Sequence, residues 1–240
     1  MIYGIILASG RGTRIKDGIT LPKQFREIEG QPVIIYTIKS LLKIKRFNKI
    51  YITVPNDYED YTRNLIDKFI INDKDNLVVI NGGKERMDSI DNAIKTIVNT
   101  QEITDDDIIV IHDGVRPFVT EKILNDSIDS AKKYGAVVAA TPVSDTLLIS
   151  EEGNKVDQIP PRKLYYKGQA PDSFRLKLFI SLLEKISPED RLKITGTSQV
   201  CTLNNYPIYM IEGDDINFKI TSKSDFEIAS SIAKEVGYND

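Results

Sequence analysis

The chain has 240 residues, 41% hydrophobic and 28% charged, the composition of an ordinary folded protein long enough to bury one full core. A formal charge of −3 leaves no basic stripe for a nucleic-acid backbone, and no apolar run approaches the ~18 residues of a membrane-spanning helix, so neither nucleic acid nor a membrane is an expected partner. The one cysteine, Cys201, has no intrachain partner and the first residues read as a strand rather than a leader, so the expected location is cytoplasmic.

The apolar run Ile5-Ile6-Leu7 feeds a loop, Leu7-Ala8-Ser9-Gly10-Arg11-Gly12-Thr13-Arg14, followed after a gap by Leu21-Pro22-Lys23-Gln24. Glycines let backbone N–H groups approach anionic oxygens, and Arg11, Arg14, Lys16 and Lys23 add positive charge, which is what a polyphosphate-wrapping loop requires. An ordinary strand-to-helix turn with solvated basic residues fits this stretch equally well. Spacing excludes two familiar loops: a dinucleotide fingerprint needs glycine where Ile15 stands, and a P-loop needs Gly-Lys-Ser/Thr.

Beyond the loop, Pro32 opens a helix with Val33, Ile34, Ile38, Leu41 and Leu42 on one side, and the strand Lys49 to Val54 follows. Asn56 is placed to cap a helix carrying Tyr58, Tyr61, Leu65 and Phe69, after which Leu77 to Ile80 is a third strand. The turn Asn81-Gly82-Gly83 leads to a helix with Met87, Ile90, Ile94 and Ile97 inward, then to the strand Ile108 to Ile111. Short apolar strands alternating with helices predict a doubly wound, mostly parallel α/β sheet. In such a sheet the loops Ser9 to Lys23, Gly82 to Ser89 and His112 to Arg116 meet at the carboxyl ends of the strands.

A helix from about Glu121 to Lys133 and a strand from Ala136 to Ala140 continue the pattern. The segment from 142 to 174, with Pro142, Pro160, Pro161 and Pro171, reads as a protruding β-arm rather than a sheet strand, with short β pieces around Thr146 to Ser150 and Lys155 to Ile159. A helix with Phe179, Leu182, Leu183 and Ile186, a strand from Ile208 to Ile211, and a last helix opened by Ser222 with Phe226, Ala229, Ile232 and Ala233 inward complete one domain over 1–240.

Six stretches occur in a fixed order: Ala8-Ser9-Gly10-Arg11-Gly12-Thr13-Arg14, Pro22-Lys23-Gln24, Gly82-Gly83-Lys84-Glu85-Arg86-Met87-Asp88-Ser89, His112-Asp113-Gly114-Val115-Arg116-Pro117, Asp145-Thr146 and Asn217-Phe218-Lys219. Together they make the chain resemble the cytidylyltransferases that couple CTP to alditol phosphates. Ile159-Pro160-Pro161-Arg162, Tyr166 to Phe174 and Leu21 to Phe25 look closer to the branch acting on D-ribitol 5-phosphate than to the one acting on 2-C-methyl-D-erythritol 4-phosphate. Ile216 points the same way, standing where the second branch usually has an aspartate before Asn217.

The resemblance implies a Rossmann-like nucleotidyltransferase sheet, CTP and an alditol phosphate as substrates, Mg²⁺ as cofactor and a homodimer joined through the arm. It implies that Arg14, Lys23 and Lys219 are catalytic, with Leu7, Ala8, Ser9, Gly10, Arg11, Gly12 and Thr13 wrapping the phosphates and Gly82, Gly83, Arg86 and Ser89 at the base. Asp113 would meet the metal or the acceptor hydroxyls. Thr146, Arg162, Thr195 and Lys219 would bind the acceptor, Thr146 and Arg162 arriving from the other subunit.

Read without the resemblance, Asp113 serves as well as a helix cap, Thr146 as a β-former and Lys219 as an exposed lysine. His112 lacks a second ligand and reads as structural, and Cys201 as a small buried hydrophobe. Two stretches depart from the family: Gln-Thr-Pro-Gln reads Gln169-Ala170-Pro171-Asp172, and an acidic residue is replaced by Gly196 in Thr195-Gly196-Thr197. Both fall on the acceptor side. A nucleotide-binding regulator and a nicotinamide-dependent oxidoreductase are the competing classes; Arg14, Lys23 and Asp113 speak against the first, the missing glycine against the second.

Overall fold

The computed structural model describes residues 1–10 and 20–236. Ile2–Leu7 forms β1, and a small hairpin pairs β2 (Glu27–Ile28) with β3 (Gln31–Pro32) before α1 (Val33–Lys43). β4 (Lys49–Val54), α2 (Glu59–Phe69), β5 (Leu77–Asn81), α3 (Arg86–Thr100) and β6 (Ile108–Asp113) complete the parallel half. Then come α4 (Glu121–Tyr134), β7 (Ala136–Pro142), β8 (Tyr166–Arg175), α5 (Leu176–Leu183), α6 (Pro188–Lys193), α7 (Gln199–Leu203), β9 (Tyr209–Glu212) and α8 (Lys223–Val236).

Seven strands form one sheet in the order β5-β4-β1-β6-β8-β7-β9, with only β8 antiparallel to its neighbours. The mostly parallel, doubly wound expectation holds for a physical reason. β1, β4 and β6 are apolar on both faces because a core lies on each side: Ile6, Ile52 and Val110 pack toward α1, while Ile5, Tyr51 and Ile111 pack toward α3.

One expectation is corrected. Tyr166–Arg175, assigned to the arm from its prolines, is a ten-residue strand hydrogen-bonded between β6 and β7. Pro171 is tolerated because the pairing of β8 with β7 passes from Val138↔Asp172 to Ala140↔Gly168 across an irregularity, so the ladder asks no N–H of it. In the rest of the segment the two β-like pieces meet in an isolated bridge, Ile149↔Gln158. Two smaller boundaries also move: Asn56 opens a 3₁₀ turn with α2 starting at Glu59, and two short helices, α6 and α7, fill the stretch before β9.

Candidate active site

Three loops converge at the carboxyl ends of β1, β5 and β6. The N–H of Gly114 donates to Leu7 O at 2.9 Å, and a Cβ on Gly114 would lie 2.8 Å from that of Ala8, so these loops touch backbone to backbone. Gly82 is still tighter, since a Cβ there would sit 2.3 Å from Ser9 Cβ. The hydroxyls of Ser9 and Ser89 are 2.7 Å apart, and the Ser89 hydroxyl also accepts the Gly83 N–H at 3.0 Å. Ser89 is fully buried, so its hydroxyl ties the loops together rather than standing open.

Sequence reasoning passed over Gln24. Its buried amide donates to Ala8 O at 2.6 Å and to Gly10 O at 3.0 Å, clamping the start of the first loop to the segment that carries Lys23. Its signal in the sequence is its place directly after Lys23. Lys23 Nζ donates to Ile220 O at 2.9 Å, and Ile220 N donates to Val115 O at 3.0 Å, which docks Lys23, Lys219 and the Asp113 loop on one another. Arg11, Gly12, Thr13, Arg14 and Lys16 lie outside the described residues.

Asp113 is the electrostatic centre. Its Oδ1 accepts Arg86 Nη1 at 2.7 Å, and its Oδ2 accepts both Arg116 Nε and Lys219 Nζ at 3.1 Å. Burial pushes the carboxyl up, but Arg86, Lys219 and Arg116 outweigh it and hold the group well below the usual carboxylate range. Arg116 also donates to Asn217 O at 2.8 Å. Asn217, fully buried, donates to Ala170 O at 2.7 Å and fixes the segment that presents Lys219. The sequence motifs assign Arg116 and Asn217 no role; the Asp113–Arg116 spacing of three is the available signal.

Beside this centre lies a cleft of about 180 Å³ lined by Arg86, Asp113, Arg116, Asp172, Gly196 and Lys219, with Thr195 at its edge. Thr195 is exposed, and its N–H and hydroxyl both donate to Gln199 Oε1. Thr146 and Arg162 do not line the cleft formed by the described residues of this chain; both are exposed, and Arg162 donates to Ser144 O at 2.7 Å.

His112 is buried with Nε2 3.0 Å from Arg116 O, and burial pulls it down to about 4, so it is neutral and structural. Cys201 is buried too, and burial with the nearby Asp172 pushes its thiol up to about 12. Both agree with their bland reading. Among the described residues no three or more His, Cys, Asp or Glu side chains are grouped to hold a metal, and both oxygens of Asp113 are already engaged by cations. These donors do not fit a metal cage built by the protein alone.

Sheet order and loop convergence are those of a nucleotidyltransferase fold. The fold is that of the 4-diphosphocytidyl-2C-methyl-D-erythritol synthase of Anaerococcus prevotii DSM 20548 (24% identity, 97% of this chain and 96% of that one, TM-score 0.78). It is also that of the 2-C-methyl-D-erythritol 4-phosphate cytidylyltransferases of Francisella tularensis (25%, 96% and 98%, 0.76) and Thermus thermophilus (22%, 98% and 100%, 0.75). The model of the IspD family, 2-C-methyl-D-erythritol 4-phosphate cytidylyltransferase, matches residues 2–235, and the chain belongs to that family of cytidylyltransferases.

Proposed function

We propose that the chain transfers CMP from CTP to an alditol phosphate, with 2-C-methyl-D-erythritol 4-phosphate as the first acceptor. The observation that carries this choice is the family match across residues 2–235, which favours that acceptor over the D-ribitol 5-phosphate expected from the sequence. Ribitol phosphate is kept as the second reading because Ile216 is apolar and, like Phe218, packs against the apolar cluster that includes Val115 and Phe118.

A phosphate oxygen of the acceptor attacks the α-phosphorus of CTP, a new P–O bond forms, and the α–β bridging bond breaks to release pyrophosphate. A phosphate monoester has its second pKa near ~6, so the nucleophile is already ionised at neutral pH and no general base is required. That agrees with a site whose histidine is buried and neutral. What the step requires is fixed positive charge. Arg86, Arg116 and Lys219 provide it around Asp113, and Lys23 adds to it from its bond to Ile220 O, next to Lys219 in sequence, all held so that little reorganisation is needed as charge develops. Mg²⁺ is proposed only as the companion of the triphosphate, since the donors around Asp113 do not build a site for it. The exposed apolar residues Leu148, Ile149, Val156, Ile159 and Leu164 support a homodimer in which Thr146 and Arg162 reach the other protomer's cleft.

The test is CTP-dependent pyrophosphate release with purified acceptors. Release with 2-C-methyl-D-erythritol 4-phosphate, abolished by Lys23→Ala, is the expected result. Faster release with D-ribitol 5-phosphate would reverse the order of acceptors. Release with another nucleoside triphosphate but none with CTP would overturn the assignment of the base.

A further inference from the structure

The proposed reaction leaves one buried ionisable group of the cleft without a task, Asp172. It sits in the middle of β8, opposite Ile111 of β6 and Val138 of β7. Side chains of directly paired residues share a face, so Asp172 projects on the same side as Ile111 and, two residues on, Asp113. The neighbours on that face, Ile109, Ile111, Phe174 and Cys201, belong to one apolar cluster. A carboxyl group is therefore set into the apolar floor of a cleft whose other charged lining is Arg86, Asp113, Arg116 and Lys219, with Gln169, Thr195 and Ser198 as its uncharged polar lining.

Burying a carboxyl is costly unless its oxygens are satisfied. Asp172 is 6% exposed, and among the described residues its side-chain hydrogen-bond partner is the hydroxyl of Thr197, itself fully buried and 3.3 Å from Arg86 Nη2. A carboxyl group has about four acceptor positions, so one hydroxyl leaves most of its capacity unused. Beside it, the loop carrying Gly196 stands back: a Cβ at that residue would come no closer than 3.7 Å to its nearest neighbour, Ser198 Oγ. The cleft is thus open next to Asp172 while the cations are engaged with Asp113.

We propose that Asp172 is a specificity-determining residue that reads the acceptor, its carboxyl oxygens accepting hydrogen bonds from hydroxyls of a polyhydroxylated phosphomonoester whose phosphate lies on the Arg86, Arg116 and Lys219 side of the cleft. The inference rests on the acceptor reading above and adds a selection rule. Acceptors that present hydroxyls toward β8 are bound, and those presenting hydrogen there leave a buried carboxyl short of partners, an unfavourable exchange. Burial raises Asp172 to about 7, with Arg86 opposing, so near neutrality the group can also donate one proton to an acceptor oxygen.

The test is steady-state kinetics of pyrophosphate release on the parent, D172N and D172A, with CTP and acceptor varied separately. The panel is 2-C-methyl-D-erythritol 4-phosphate, D-ribitol 5-phosphate and their singly deoxygenated analogues, with thermal melting recorded on each protein. Asp172→Ala is expected to raise the KM for the preferred acceptor at least tenfold, with the KM for CTP changed less than twofold. Asp172→Asn, which keeps the shape and one carbonyl oxygen but adds an N–H₂ donor, is expected to narrow the preference for the full polyol over its deoxygenated analogue by about tenfold. If D172A does not fold, D172N carries the test alone. An unchanged acceptor KM and ranking in D172N, or equal rises in the KM for CTP and acceptor, would overturn the inference while leaving cytidylyl transfer intact. No turnover of any panel member by the parent would instead overturn the acceptor reading, and the inference with it.

Discussion

The loops after β1 and β5 and the cleft beside Asp113 are adjacent, yet they are built from different materials. Ala8, Ser9, Gly82, Gly83 and Ser89 meet through backbone and hydroxyls, close enough that a Cβ on Gly82 would fall 2.3 Å from its neighbour. The cleft is made of charge, with Asp113 holding Arg86, Arg116 and Lys219 from three separate segments. Close packing depends on volume, and a charged network depends on balance. The two regions should therefore fail in different ways.

The largest effect is expected from Asp113→Ala. It leaves three cations facing one another in a partly buried place, and losing one partner of a buried pair costs about 3–5 kcal/mol. A marked drop in denaturation midpoint with pyrophosphate release near background is expected, and a stable, active variant would refute the role of Asp113 as the centre. Next is Gly82→Ala, where the added methyl collides with Ser9. Overpacking of this kind costs about 1–3 kcal/mol. The variant should show a raised KM for CTP in initial-rate assays, while the acceptor KM stays near the parent value if the two regions are independent.

A third contrast is in pH. The folded state raises Asp172 from 3.8 to about 7, so its contribution to stability is complete below its unfolded value and is lost as pH rises through 7. His112 runs oppositely: lowered from 6.5 to about 4, its contribution is present above 6.5 and lost as pH falls through 4. The two oppose one another between about pH 4 and 7. Asp172→Asn removes one side, so its melting temperature should climb with pH across this window more steeply than that of the parent. At pH 8 it should exceed the parent, and parallel curves would refute the opposition. The smallest effect on folding is expected from Arg162→Ala, since an exposed substitution usually changes stability by less than about 0.5 kcal/mol. If the arm serves the other protomer, the acceptor KM nevertheless rises, and mixing this variant with a Lys219→Ala protein restores activity through hybrid dimers. No restoration would count against the shared site.

Which parts were legible follows from the same difference. The parallel half is legible because β1, β4 and β6 each carry a short, mostly apolar run and each helix repeats an inward face, patterns that local sequence carries in full. β8 is not legible because its prolines argue locally against a strand, while its place depends on pairing with β6 and β7, which no local pattern carries. Gln24 went unassigned because its two acceptors, Ala8 O and Gly10 O, are backbone atoms with no residue signature.

By itself the sequence determined a doubly wound sheet and the glycines, hydroxyls and basic residues that crowd its carboxyl edge, since periodicity and loop chemistry are local properties. Only the tertiary structure decided that Asp113 is shared by Arg86, Arg116 and Lys219, and that Asp172 stands on the apolar floor beside them. Charge balance and burial are sums over neighbours from distant parts of the chain, and those sums exist only once the strands are in order.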